Sequence, residues 1–107
     1  MQQTDVLQAW TRRTFCIKTK LGALMEVDGI LFTGAPIGLH IRDRYVEITH
    51  VPSGFRIATA DSLGAAMGIV LGIAPMTDWT QESPKISNAI GETIAILSGT
   101  TFAPRMK

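Results

Sequence analysis

Residues 39–60 read LHIRDRYVEITHVPSGFRIATA, and their alternation decides the fold. Leu39 and Ile41 alternate with His40 and Arg42; Val46 and Ile48 alternate with Tyr45, Glu47 and Thr49; Phe55 and Ile57 flank Arg56. Period two places the apolar set on one face of a strand and the polar set on the other. Asp43-Arg44 and Pro52-Ser53-Gly54 interrupt the pattern with turn chemistry, so three strands are joined by two tight turns. Antiparallel strands of this kind bury one face and leave the other open. The open face then carries His40, Arg42, Tyr45, Glu47 and Arg56, with Arg44 at a hairpin tip.

Upstream, the same reading extends the meander. Asp28-Gly29, between ALMEV and ILFT, supplies the positive-φ positions of a two-residue hairpin turn. Gly34-Ala35-Pro36-Ile37-Gly38 reads as a loop. In TFCIKTKL (14–21), Phe15, Ile17, Thr19 and Leu21 alternate with Cys16, Lys18 and Lys20. One long helix over 4–25 is a rival, since Leu7, Trp10, Thr14, Ile17, Leu21 and Leu24 also step by three and four. The threonines between 11 and 19 favour the strand. Residues 4–13 read as a short helix, with Thr4 as cap and Val6, Leu7 and Trp10 on one face.

Downstream the period changes. Asp61 is placed to cap a helix over 62–74, whose Leu63, Ala66, Met67, Val70, Leu71 and Ala74 share helical spacing, and Pro75 stops it. Ser83-Pro84 opens a second helix over 84–98, with Ile86, Ala89, Ile90, Thr93, Ile94 and Leu97 facing inward and Gly99 at its end. Strands first and helices after predict an α+β fold: an antiparallel meander of five or six strands over residues 14–60, with both C-terminal helices packed on one face.

The chain has 107 residues, enough for one domain with one core. Hydrophobic residues make up 46% and charged residues 18%, which disfavours disorder and leaves apolar surface for a partner. A net charge of +1 is neither the basic excess of a dedicated nucleic-acid binder nor the acidic excess of a DNA mimic. The single cysteine, Cys16, and the absence of a signal-peptide pattern predict a cytoplasmic protein. The longest uncharged apolar run, 63–76, is too short to span a bilayer.

Four groups of residues are candidates for function. The first is the polar sheet face, His40, Arg42, Arg44, Tyr45, Glu47 and Arg56, read as a partner-binding surface or as solvated cross-strand pairs such as Glu47 with Arg56. The second is Arg12, Arg13, Lys18 and Lys20 beside Trp10, a composition that suits single-stranded nucleic acid. The third is the stripe Gly64, Gly68 and Gly72, one glycine per helical turn. Each internal glycine costs about 1 kcal/mol relative to alanine, which predicts close packing against the chain's own sheet or second helix, or against a second copy in a homodimer. The fourth is Cys16 with His40 or His50, which would need a thiol brought against an imidazole to become a nucleophile; in an alternating strand Cys16 reads instead as a small buried hydrophobe.

No CxxC, HxxxH or HExxH occurs, and no GxxxxGK or GxGxxG loop, so neither a metal nor a cofactor is expected. Ser53 and Ser98 precede glycines as turn and helix-end residues. The stretch ITHVPSGFRIATA, running into a capped helix, resembles in style the short proteins of phages and other mobile elements. That resemblance names no fold and assigns no residue; it implies an inhibitor of a host defence complex. The sequence thus leads to a non-enzymatic interaction module that binds a larger protein or ribonucleoprotein. A nucleic-acid module and a small enzyme or ligand-binding domain stand as its alternatives.

Overall fold

The computed structural model describes residues 9–98. Five strands form one antiparallel sheet in chain order: β1 (Trp10–Lys18), β2 (Leu24–Phe32), β3 (Ile37–Arg42), β4 (Tyr45–His50) and β5 (Arg56–Ala60). Two helices follow, α1 (Leu63–Ile73) and α2 (Asn88–Ser98), with a single 3₁₀ turn, Ala74–Met76, extending α1. The α+β class, the meander and the helices at the end of the chain are as the sequence predicts.

The β3–β4 hairpin turns on Asp43-Arg44, where Asp43 takes φ of 54°. Its register pairs Leu39 with Ile48 and Ile41 with Val46 on one face, and His40 with Glu47 and Arg42 with Tyr45 on the other. β5 adds Ala58 opposite Ile48 and Arg56 opposite Thr49, with an irregularity between Ile48 and Thr49. The extra residue, Ile57, is buried in the core, as a bulge permits. Ile37, Leu39, Val46, Ile48, Ile57, Ala58 and Ala60 meet Ala66, Ile69, Val70 and Ile73 of α1 and Ile90 and Ile94 of α2 in one apolar core.

Several local expectations are corrected. Residues 10–13 are strand, not helix: Trp10 pairs with Phe32 across the ladder, their rings 4.9 Å apart. Residues 4–8 of the expected helix lie outside those described. Asp28-Gly29 is not a turn. It sits inside β2, opposite Thr14 and Arg13. The turn lies at 19–22, where Thr19 N–H donates to Ala23 O, Gly22 N–H donates to Thr19 O, and Gly22 takes φ of 84°. Glycine is the default there because other residues pay a steric penalty at positive φ.

Gly29 answers a different need. A Cβ there would overlap the carbonyl oxygen of Leu39 and come within 2.9 Å of the Phe15 ring. At Gly38 a Cβ would come within 2.6 Å of the same ring. These two positions let β2 run close against β3 and let Phe15 lie on bare backbone. β2 pairs with β3 only at Ile30–Leu39 and Leu31–Gly38, so the sheet bends there. The β1–β2 hairpin arches over the polar face, and Lys18 N–H donates to Gly54 O (2.8 Å) in the β4–β5 turn.

The helix ends also move. Ser62, not Asp61, caps α1 by accepting Ala65 N–H at 3.1 Å. α2 begins at Asn88 rather than at 84, and Ser87 accepts Ile90 N–H at 3.3 Å. The intervening segment is anchored by Trp79, whose indole N–H donates to Ile73 O (3.1 Å). The carbonyl of Trp79 accepts from His50 Nε2 (2.7 Å). Among the described residues, no helix is long and apolar enough to cross a membrane.

Candidate functional site

The arch of β1–β2 over the sheet encloses a cleft of about 690 Å³. β1 and its turn contribute Ile17, Lys18, Thr19 and Lys20, and β2 contributes Met25. The sheet contributes Arg42, Tyr45, Glu47, Thr49 and Arg56, and the β4–β5 turn adds Gly54 and Phe55. A volume of this size lies within the range of ligand sites, about 300–1,000 Å³.

Glu47 organises the floor. It is buried on β4 between β3 and β5, and antiparallel pairing brings cationic side chains to it from both sides. Arg56 Nη1 donates to its Oε2 at 3.1 Å. His40 Nε2 lies 3.3 Å and Arg42 Nη1 3.6 Å from its Oε1. A buried carboxylate stays charged only where such partners replace water. His40 lies beneath the edge of the Phe15 ring, with centroids 6.1 Å apart. Burial holds its imidazole below the ordinary value of 6.5; the Glu47 carboxylate pulls the other way, and the Arg42 guanidinium adds to the lowering.

Above this floor the cleft is cationic and partly aromatic. Lys18, Lys20, Arg42 and Arg56 line it against the one carboxylate. Lys18 Nζ sits 4.8 Å from the centroid of the Phe55 ring, a cation–π arrangement. Met25 and Phe55 are exposed large apolar residues on its walls.

The sequence-derived groups are redistributed. Of the expected partner face, Arg42, Tyr45, Glu47 and Arg56 line the cleft, His40 supports Glu47 from beside it, and Arg44 stands exposed at the β3–β4 tip. The expected Glu47–Arg56 pair is present. Of the basic group, Lys18 and Lys20 enter the cleft. Arg12 and Arg13 do not: they are exposed further along β1, on opposite faces, because a strand alternates. Ile17, Thr19, Met25, Thr49, Gly54 and Phe55 complete the lining and were not singled out as site residues. Thr49 carried a readable signal, sharing its parity with Tyr45 and Glu47.

Among the described residues, Gly64 and Gly68 are not packed against anything; a Cβ at either meets none of their atoms within 4 Å. Only Gly72 faces α2, where a Cβ would come within 2.6 Å of Leu97 Cδ1. The stripe therefore lies mostly on the outer face of α1, with exposed Leu63 and Leu71. α1 turns Ile69, Val70 and Ile73 inward instead.

Cys16 is exposed rather than buried, on the side of β1 opposite Phe15 and Ile17. His40 lies on the Phe15 side, so β1 separates the two. His50 is fully buried and bonded at both nitrogens: Nε2 donates to Trp79 O, which leaves Nδ1 to accept from Ser53 Oγ at 2.7 Å. Ser53 Oγ also accepts Phe55 N–H, the bonding of a turn residue. Among the described residues no three His, Cys, Asp or Glu side chains are grouped to hold a metal ion. No family model, curated protein or solved structure matches the chain.

Proposed function

We propose that the chain is a non-catalytic interaction module whose working surface is the cleft between the β1–β2 hairpin and the polar sheet face, and that it docks an acidic surface of a larger protein or ribonucleoprotein. One observation carries this reading. Four cationic side chains from three separate parts of the chain converge on a concave site whose one carboxylate is already paired. Among the described residues of the lining, the surplus positive charge has no partner of opposite sign, and it is bordered by exposed Met25 and Phe55. Arginine, methionine and aromatic side chains are enriched at protein-binding centres, and Arg42, Arg56, Met25, Tyr45 and Phe55 supply them here. A module that covers an acidic surface of a larger complex inhibits whatever that surface does.

The test is affinity capture from cells of the source organism with the wild-type chain and with Lys18→Glu/Lys20→Glu. Both lysines are at the cleft mouth and neither belongs to the apolar core, so the double variant should fold. A stoichiometric partner retained by the wild type and lost by the variant is expected. Equal capture by both would end the assignment of the cleft.

The second reading is single-stranded nucleic acid, favoured by Lys18 stacked on Phe55 and by Tyr45 nearby. It predicts affinity that falls steeply with salt through counterion release.

A further inference from the structure

β1 and β5 are the two edges of the sheet, and they differ. β5 has five residues, of which Ile57, Ala58 and Ala60 are buried. β1 has nine, and Thr11, Arg12, Arg13, Thr14, Cys16 and Lys18 are exposed. Two bonds just beyond its ends show which amides of β1 face β2. Thr33 N–H donates to Ala9 O, and Thr19 N–H donates to Ala23 O. In an antiparallel ladder, bonded and non-bonded residue pairs alternate. The register between these two bonds is unbroken, so the odd-numbered residues of β1 bond to β2. The even-numbered residues point their N–H and C=O groups away from it. Lys18 shows this directly, since its N–H donates to Gly54 O. Among the described residues, nothing takes the outward groups of Arg12, Thr14 and Cys16.

We propose that this edge of β1 binds an extended acidic segment of a partner protein, which adds beside it as a sixth strand. An open edge alternates donors and acceptors at the strand repeat, and another peptide strand is the complement that satisfies both. A polynucleotide backbone brings phosphate acceptors, which the outward carbonyls repel. Charge then selects among strands. β1 carries Arg12, Arg13 and Lys18 and no carboxylate. Asp28 and Glu26 stand one strand further in, opposite Thr14 and Cys16. A second copy of β1 would set the same cations against one another, and like charges across a strand pair are destabilising. Aspartate or glutamate opposite them is stabilising. Arg12 and Arg13 lie on opposite faces of β1, so the segment that fits has carboxylates on both of its faces. Phe15 and Ile17 are buried and hold the strand in shape, which lowers the ordering cost of binding. The stretch from Arg12 to Cys16 lies outside the cleft lining, so this inference stands independently of the cleft.

The experiment is residue-resolved amide hydrogen exchange on the full chain at low salt, with and without the peptide Val-Glu-Glu-Val-Thr-Glu-Val. In the free chain the amides of Arg12, Thr14 and Cys16 should exchange fast, and those of Arg13, Phe15 and Ile17 slowly. Saturating peptide should slow the first set about tenfold or more and leave the second set unchanged. In fluorescence anisotropy with the labelled peptide, Arg12→Glu/Arg13→Glu should bind at least about tenfold more weakly. Both side chains are exposed, so this variant should fold. Thr14→Pro removes an outward N–H and no bond to β2; it should melt near the wild-type temperature and lose affinity by a similar factor. Slow exchange at Arg12, Thr14 and Cys16 in the free chain would mean that the edge is already covered, and would overturn the proposal. Binding that leaves these amides fast would place the peptide in the cleft and end the assignment of the edge. No binding at low salt would end it too. Equal binding of the same peptide with lysine for glutamate would overturn the acidic partner.

Discussion

His40 and Glu47 show how the polar face holds charge out of water. The imidazole is buried beside Phe15, its Nε2 faces Glu47, and its Nδ1 has no partner among the described residues. Its protonation is disfavoured in the folded state chiefly by burial. As the pH falls, the unfolded chain therefore takes up this proton before the folded chain does. The sign follows: the stability that depends on neutral His40 is present above 6.5 and is lost as the pH falls from 6.5 through the lowered folded value. Thermal melts from about pH 7.5 to about pH 5.5 span the range in which histidine titrates. They should show a fall in melting temperature over the lower half that is flattened in His40→Asn. The same slope in both proteins would place the titration elsewhere.

At the scale of elements, two glycine positions make opposite predictions. Gly29→Ala drives a methyl into the Leu39 carbonyl, which is backbone and cannot step aside. About 3 kcal/mol of stability should be lost, at the upper end of overpacking costs. Gly68→Ala meets no atom of the described residues within 4 Å, and should add about 1 kcal/mol through helix propensity. Urea denaturation of both variants checks the pair. A destabilised Gly68→Ala that also changes its sedimentation would show that a second copy, not solvent, covers α1.

These glycines also mark what the sequence made legible. Period two over 39–60 located the polar face, because a two-residue turn at Asp43-Arg44 fixes which residues stand opposite one another. The helical spacing over 63–73 located α1. The glycine stripe misled, because spacing shows that glycines share a face but not which way that face points. Asp28-Gly29 misled for a related reason. The pair has the chemistry of a turn, while Gly29 is required by Leu39, a neighbour ten residues away along the chain. Lys18 and Phe55 lie far apart in sequence, and only the fold of the β1–β2 hairpin over the sheet brings them together.

At the scale of the whole molecule, a chain of net charge +1 concentrates its cations. The cleft lining holds four Lys and Arg side chains against one carboxylate, so the balance of the sequence as a whole hides a local field. Concave walls strengthen such a field and speed the approach of an oppositely charged partner. The opposite side of the molecule is different in kind. α1 carries no charged residue, and Leu71 on its outer face is 57% exposed. The two sides therefore respond differently to added salt: it screens the charges of the cleft and leaves the uncharged surface of α1 unchanged.

The β1–β2 hairpin is tied down at both ends. Its root is the pair of registers Ile30–Leu39 and Leu31–Gly38. Its far end is held by the bond from Lys18 N–H to Gly54 O, by Lys18 Nζ over the Phe55 ring and by the buried side chains of Phe15 and Ile17. Among the described residues β1 is paired only with β2 in the sheet, yet the β4–β5 turn supports it. The shape of that turn therefore sets where the Lys18 charge stands.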